Sequence, residues 1–141
     1  MPRGLTDFGG IWRLEREIED HLGGGRARMY GTCAFRPDGT GLDVEERGLL
    51  HMPDAARPFE AARRYLWREE GRRIDVFFAD GGYFHSFAPE EAQPEAGHDC
   101  APDRYDVRYD FSLWPDWHAR WRVRGPRKDY LSVTRFSREG A

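Results

Sequence analysis

The stretch Arg104-Tyr105-Asp106-Val107-Arg108-Tyr109-Asp110-Phe111-Ser112-Leu113-Trp114-Pro115-Asp116-Trp117-His118-Ala119-Arg120-Trp121-Arg122-Val123-Arg124 decides the fold. Apolar and charged residues alternate along both arms, which is the period of a half-buried strand and not of a helix. Trp114-Pro115-Asp116 supplies the turn between them. One face carries Tyr105, Val107, Tyr109 and Phe111, continued on the return arm by Trp117, Ala119, Trp121 and Val123. The other carries Arg104, Asp106, Arg108 and Asp110 against His118, Arg120, Arg122 and Arg124. A one-residue slip would set aromatics against arginines, so the register is tightly constrained. Cross-strand pairs between the aspartates and arginines contribute about 0.2–1 kcal/mol each.

Working outward, a second hairpin joins Ile74–Phe78 to Tyr83–Phe87 through Ala79-Asp80-Gly81-Gly82. Asp-Gly and Gly-Gly are both two-residue turn pairs. Either one puts Ile74, Val76 and Phe78 on the same face as Tyr83, His85 and Phe87. A third hairpin turns at Pro37-Asp38-Gly39, where Pro fixes φ and Gly tolerates a positive one. The first strand, Phe8 to Ile18, places Trp12, Leu14 and Ile18 inward and brings Arg16 in with them. Glu46 likewise shares a face with Leu42 and Val44. The final segment, Asp129 to Arg138, mixes polar and apolar residues on both faces. Helical periodicity is scarce: Pro53–Arg64 has an Ala-rich centre but runs into Tyr65-Leu66-Trp67, and Pro89–Ala92 suits a short helical turn. Roughly nine strands, with no helices to cover an open sheet, predict an all-β chain. The economical form is a single antiparallel barrel of about 8–10 strands with little helix, in which closure removes the edges.

The chain has 141 residues, a length that favours one domain spanning 1–141. With 14% aromatic residues it is not a disordered chain. A net charge of −3 provides no overall basic field for nucleic acid or an anionic membrane. The longest apolar run, Val76 to Ala79, is far short of a membrane span, and Met1–Gly10 holds no apolar leader. Cys33 and Cys100 are too few for a disulfide framework, so a reduced, cytoplasmic protein is expected. Because 21 of the 22 basic residues are Arg, arginine density by itself says little about function. The basic stretch Arg120–Lys128 points Trp121 inward and its arginines outward, which spoils a stacking platform for RNA.

Gly10-Ile11-Trp12 opens the first strand and a basic residue, Arg135 or Arg138, sits on the last. This layout resembles the lipocalin-like (calycin) barrels, in which a Trp at the closed end packs beneath an Arg of the final strand. A wider set of motifs resembles a family of small proteins known only as a domain of unknown function. These are Phe8-Gly9-Gly10-Ile11-Trp12 with Arg16, Phe78-Ala79-Asp80-Gly81 with Phe84-His85, His98-Asp99-Cys100 with Asp103 and Tyr105, and Trp121 with Gly125-Pro126-Arg127-Lys128-Asp129-Tyr130. The resemblance covers nearly the whole chain and implies a lipocalin-like barrel, but no activity. Classical lipocalins are mostly secreted carriers; without a leader, extracellular transport is not carried over.

Three groups of residues could carry chemistry. His85 lies on the inward face, where a neutral imidazole can accept a proton, donate a hydrogen bond or bind a metal. It can equally be a core histidine satisfied by a carbonyl or a Tyr hydroxyl. His98 and Cys100 would share a face if extended, a spacing compatible with two metal ligands or an imidazole-activated thiol. Pro102 interrupts that strand, and no Cys-x-x-Cys or His-Glu-x-x-His accompanies it, so no metal site is assigned. The alternative there is a structured turn, with Asp103 on local backbone and Cys100 as a small filler. Arg16 and Glu46, charged and inward, need a partner, a water-filled cavity or an anionic ligand. They either pair with each other, or Arg16 meets a ligand carboxylate or phosphate.

These readings predict a barrel that binds a small, partly apolar molecule, an anionic one being an option, lined by Arg16, Glu46, Tyr83, His85, His98, Tyr105, Tyr109 and Trp121. An alternative is an enzyme of hydrolase or isomerase type on the same barrel. It would use His85 or His98 as general base, assisted by Asp103, Asp80 or Tyr105. A third is a structural or interaction module, which requires a filled barrel and an exposed apolar patch. Haem is a further option through an interior His, and a homodimer is compatible with the sequence.

Overall fold

The computed structural model describes residues 1–138. Its first half is an up-and-down run of β1 (Gly10–Asp20), β2 (Arg26–Pro37), β3 (Leu42–His51), β4 (Phe59–Glu70) and β5 (Arg73–Phe78). The second half adds β6 (Tyr83–Phe87), β7 (Glu95–Cys100), β8 (Asp103–Asp110), β9 (Trp117–Arg124) and β10 (Asp129–Arg138). All neighbours pair antiparallel in one 10-stranded sheet, ordered β6-β5-β4-β3-β2-β1-β10-β9-β8-β7. The last strand returns beside the first, with Trp12 opposite Arg138 and Leu14 opposite Phe136. The result is an all-β, nearly closed barrel. The only helix among the described residues is one 3₁₀ turn, Leu5–Phe8.

The β8–β9 register follows the alternation: Tyr105 faces Val123, Val107 faces Trp121 and Tyr109 faces Ala119, with Asp106 opposite Arg122 on the outside. The outer row is stitched by Asp106, which lies 3.1 Å from Arg104 and 3.7 Å from Arg124. On the opposite wall Gly31 of β2 and Gly48 of β3 face each other. A Cβ at Gly31 would strike the carbonyl oxygen of Arg47 and one at Gly48 that of Tyr30, so the two strands approach this closely only because both positions lack a side chain.

Four expectations are corrected. Pro89–Ala92 forms a turn, closed by Glu91 N to Ala88 O at 3.2 Å, and not a helical one. The Ala-rich Pro53–Arg64 region becomes strand from Phe59 onward, because pairing with β3 outweighs the helix preference of alanine. In the β5–β6 hairpin, Phe78 N donates to Gly82 O at 2.8 Å and Gly81 N donates to Phe78 O at 2.9 Å, closing a three-residue loop with Gly81 at φ +91°. That loop sets Tyr83 opposite Phe77 on the outer side; a bulge at Phe84 then restores His85 opposite Val76. Tyr83 therefore points out, 52% exposed, and Phe84, fully buried, takes its place inside. Finally, closure is incomplete: β6 and β7 end the strand order and share no ladder. The link between the two strands is held by buried Pro89 and Pro94, neither of which has an N–H to donate.

One end of the barrel is sealed. Phe8, from the 3₁₀ turn, is completely buried against Trp67 and Trp114, each with ring centroids 5.2 Å away, and against Trp117 at 5.4 Å. Trp12 Nε1 donates to the Phe8 carbonyl at 2.8 Å. The arginine of the last strand that covers Trp12 is Arg138, its guanidinium 3.7 Å from the ring centroid. It also donates to the carbonyls of Gly9 and Asp7 at 2.8 and 2.9 Å. Arg135 is exposed opposite Glu15.

Candidate functional site

Alternation on three strands brings Arg16 (β1), Glu46 (β3) and Thr134 (β10) to one level of the interior, all buried. Arg16 Nη2 donates to Glu46 Oε2 at 2.7 Å, its Nε donates to Thr134 Oγ1 at 2.7 Å, and its Nη1 faces Met29 Sδ at 3.7 Å. Arg16 and Glu46 thus form an internal ion pair, and three of the five Arg16 N–H donors are directed at protein partners.

Across the interior, the bulge in β6 aims His85 at β8, where Nε2 lies 2.7 Å from the Tyr109 hydroxyl. Burial, with His98 as a second influence, pushes the His85 pKa down to about 3. Burial likewise pushes the Tyr109 hydroxyl up, followed by Tyr65 and Glu46. At neutral pH both are uncharged. Between these groups and the Arg16 pair is a hollow of about 40 Å³, whose lining includes Cys33, Glu46, Tyr65, His85 and Trp117. Glu46 Oε1, His85 Nδ1 and Trp117 Nε1 are buried with no hydrogen-bond partner among the described residues. The Cys33 thiol is pushed well up by burial and then by Glu46, which keeps it from being a nucleophile.

The open end is framed by half-buried aromatics and one further charge. Arg63 of β4 is exposed, with its guanidinium 6.0 Å from the Trp121 ring centroid. Its cross-strand neighbour is Glu46. Arg63 borders a second gap of about 10 Å³ with Ile18, Tyr130 and Ser132. Burial pulls its pKa down, but Tyr65 and Glu46 more than offset this, so it stays a cation.

Of the residues expected from the sequence, Arg16, Glu46, His85, Tyr109 and Trp121 meet around the hollow. Tyr105 stands half-buried beside it, its ring 5.5 Å from Phe84 and 6.2 Å from Trp121. Tyr83 does not join them; its hydroxyl is 2.7 Å from Ser86 Oγ, on an outer chain that continues to Asp75 at 2.6 Å. His98 lies beyond Phe84, whose ring is 4.4 Å from His85 and 5.5 Å from His98, so the two imidazoles do not share a space. Asp103 faces Lys128 at 3.5 Å, and Asp80 accepts from Gly82 N at 2.8 Å within its own loop. The catalytic candidates His85, His98 and Asp103 are therefore not assembled. Cys100 is exposed at the end of β7. Among the described residues no three His, Cys, Asp or Glu side chains are placed to share a metal ion. A larger concavity, about 570 Å³, lies on the outer face between Arg104, Arg108, Arg120 and Arg122. It is an open gap among charges, most of them paired: Arg104 with Asp106, Arg108 with Glu95 and Arg122 with Asp129.

Residues 8–138 match the family described as "Family of unknown function (DUF6314)". The chain belongs to that family. No curated protein matches it. Among solved structures, the barrel is similar in fold to the S-type phycobiliprotein lyase CPES from Guillardia theta, at TM-score 0.68 and 8% identity. That likeness covers 97% of this chain and 91% of the lyase. A redesigned β barrel also aligns, at TM-score 0.48 and 14% identity, over 99% of this chain and 97% of the other.

In this DUF6314 chain the sequence reading missed Arg63, Tyr65, Trp117's free indole N–H and Thr134. Arg63 and Tyr65 were within reach: counting back by twos from the apolar Trp67 gives both. The Ala-Ala-Arg-Arg run read as a helix hid that count. Thr134 carried no such signal, because both faces of the last strand mix polar and apolar residues.

Proposed function

We propose that the barrel binds a small, partly apolar molecule, admitted at the open end and reaching the hollow beneath. The observation that carries this reading is the convergence of three buried polar atoms without partners, Glu46 Oε1, His85 Nδ1 and Trp117 Nε1, on residues lining one hollow. Leaving such groups unpaired costs about 1–3 kcal/mol each, an expense that a ligand's hydrogen-bonding edge would remove. Apolar walls with a few placed polar groups are the usual make-up of a pocket. At about 40 Å³ the hollow takes only the tip of a ligand. The body must lie among the half-buried Tyr65, Trp121 and Tyr130, which part to admit it, while the sealed aromatic end stays rigid. The likeness in fold to a phycobiliprotein lyase accords with an interior given over to a ligand. Haem beside His85 is not favoured, since Phe84 and Tyr109 already occupy the approaches to that ring.

Thermal unfolding against a panel of planar organic acids, haem and nucleotides tests the reading. At least one member should raise the midpoint saturably, as expected of a molecule that binds only the folded state. No shift across the panel, with the Trp121 indole resonance unmoved, overturns it. The acid–base alternative gains a 2.7 Å contact between His85 and Tyr109, but a histidine held down at about 3 is a weak base at neutral pH. An interaction module draws support from exposed Tyr30 and Leu49, opposite each other on β2 and β3, and would show itself as self-association.

A further inference from the structure

We propose that the bound molecule is an organic acid, a planar carboxylate, and that Arg63 at the barrel mouth is its counter-charge. This rests on the interior-binding reading above and deepens it. Three charged side chains cluster from β1, β3 and β4: Arg16 and Glu46, both buried, and Arg63, exposed at the rim with its guanidinium over Trp121. Arg16 and Glu46 pair at 2.7 Å, so Glu46 acts on Arg63 only at longer range, and the leading influence that favours the cation is the Tyr65 hydroxyl, not a carboxylate. Glu46 sits opposite Arg63 across the β3–β4 ladder, yet its Oε2 is given to Arg16. The described residues supply Arg63 no carboxylate within the 4.0 Å of a salt bridge. Its guanidinium instead turns over Trp121 at the mouth, beside Tyr130 and Ser132. A planar guanidinium offers paired donors matched to a carboxylate, and a ring beneath it favours a flat ligand lying along the same wall. The unpartnered Glu46 Oε1 and His85 Nδ1 below would take the ligand's hydrogen-bonding edge, so the acid group stays at the mouth. The inference thereby moves the anionic contact from Arg16 to Arg63.

The test compares two probes that differ by one negative charge: 1-anilinonaphthalene-8-sulfonate and uncharged N-phenyl-1-naphthylamine. Affinities are measured by calorimetry and fluorescence on the full chain, and the site is located by shifts of the Trp121 indole and Ser132 amide resonances. The wild type should prefer the anion by about tenfold, with the preference shrinking as salt rises. Arg63→Gln should bring the ratio of affinities to about one, and Arg63→Lys should retain part of it. Ala61→Trp, which fills the mouth, should weaken both probes; the resonance shifts locate the site independently should that variant not fold. Equal affinity of the wild type for the two probes, or an anion preference that survives Arg63→Gln, overturns the inference and leaves the interior-binding reading standing. Failure of both probes to bind, or binding that leaves the mouth resonances unmoved, overturns both.

Discussion

At the scale of single residues, the interior is organised by two contacts with different consequences. Arg16 and Glu46 were legible as inward charges because alternation on β1 and β3 is clean, but that they meet depends on a third strand lying between them. Removing one partner leaves a buried, uncompensated charge. Arg16→Met is therefore expected to cost about 3–5 kcal/mol, whereas Arg16→Met with Glu46→Leu should recover most of that loss, measured as urea midpoints. A double variant no more stable than the single one would contradict this account. His85 enters the folded state neutral, with its pKa lowered from 6.5 to about 3. Between those two values the unfolded chain binds more protons at this site than the folded one. The contribution is thus complete above about pH 6.5 and is lost as pH falls toward the folded value, at roughly 1.4 kcal/mol per pH unit. The difference in unfolding free energy between the wild type and His85→Gln should accordingly be flat from pH 7 to 8 and fall between pH 6.5 and 4.5. A difference constant over the whole range would show that burial does not hold the imidazole neutral.

At the scale of elements, the two hairpins differ instructively. In β8–β9 the alternation of both arms and the turn agree, and the register follows from the sequence. In β5–β6 the loop is one residue longer than either turn pair implies, and the bulge at Phe84 then cancels the shift. Two compensating irregularities leave no mark in composition, which is why Tyr83 and Phe84 exchange faces relative to expectation. The seam lies between β6 and β7, whose facing amides have no ladder partner. Those amides, in Tyr83–Phe87 and Glu95–Cys100, should exchange hydrogen far faster than the amides of β1, which are bonded on both sides. Uniform protection along β1, β6 and β7, read by hydrogen-exchange mass spectrometry, would mean that the seam is closed in solution.

At the scale of the whole molecule, the first and last strands join the two halves of the nearly closed barrel, and Arg138 over Trp12 locks that junction. Arg138→Ala removes a stacked guanidinium and two hydrogen bonds to carbonyls, and should cost about 2 kcal/mol, whereas exposed Arg135→Ala should stay within about 0.5 kcal/mol. Equal effects in urea unfolding would remove Arg138 from its locking role. The sequence by itself determined the strand-rich class, the inward stripe of most strands and the presence of buried charge, because strand periodicity is a local property of two neighbouring residues. Only the tertiary structure decided which inward groups meet, that among the described residues Arg16 has a carboxylate in contact while Arg63 has none, that His85 and His98 are parted by Phe84, and how little space is left between them. Those are distances between strands far apart in the chain, set by stagger, bulge and bend, and alternation along one strand carries no information about them.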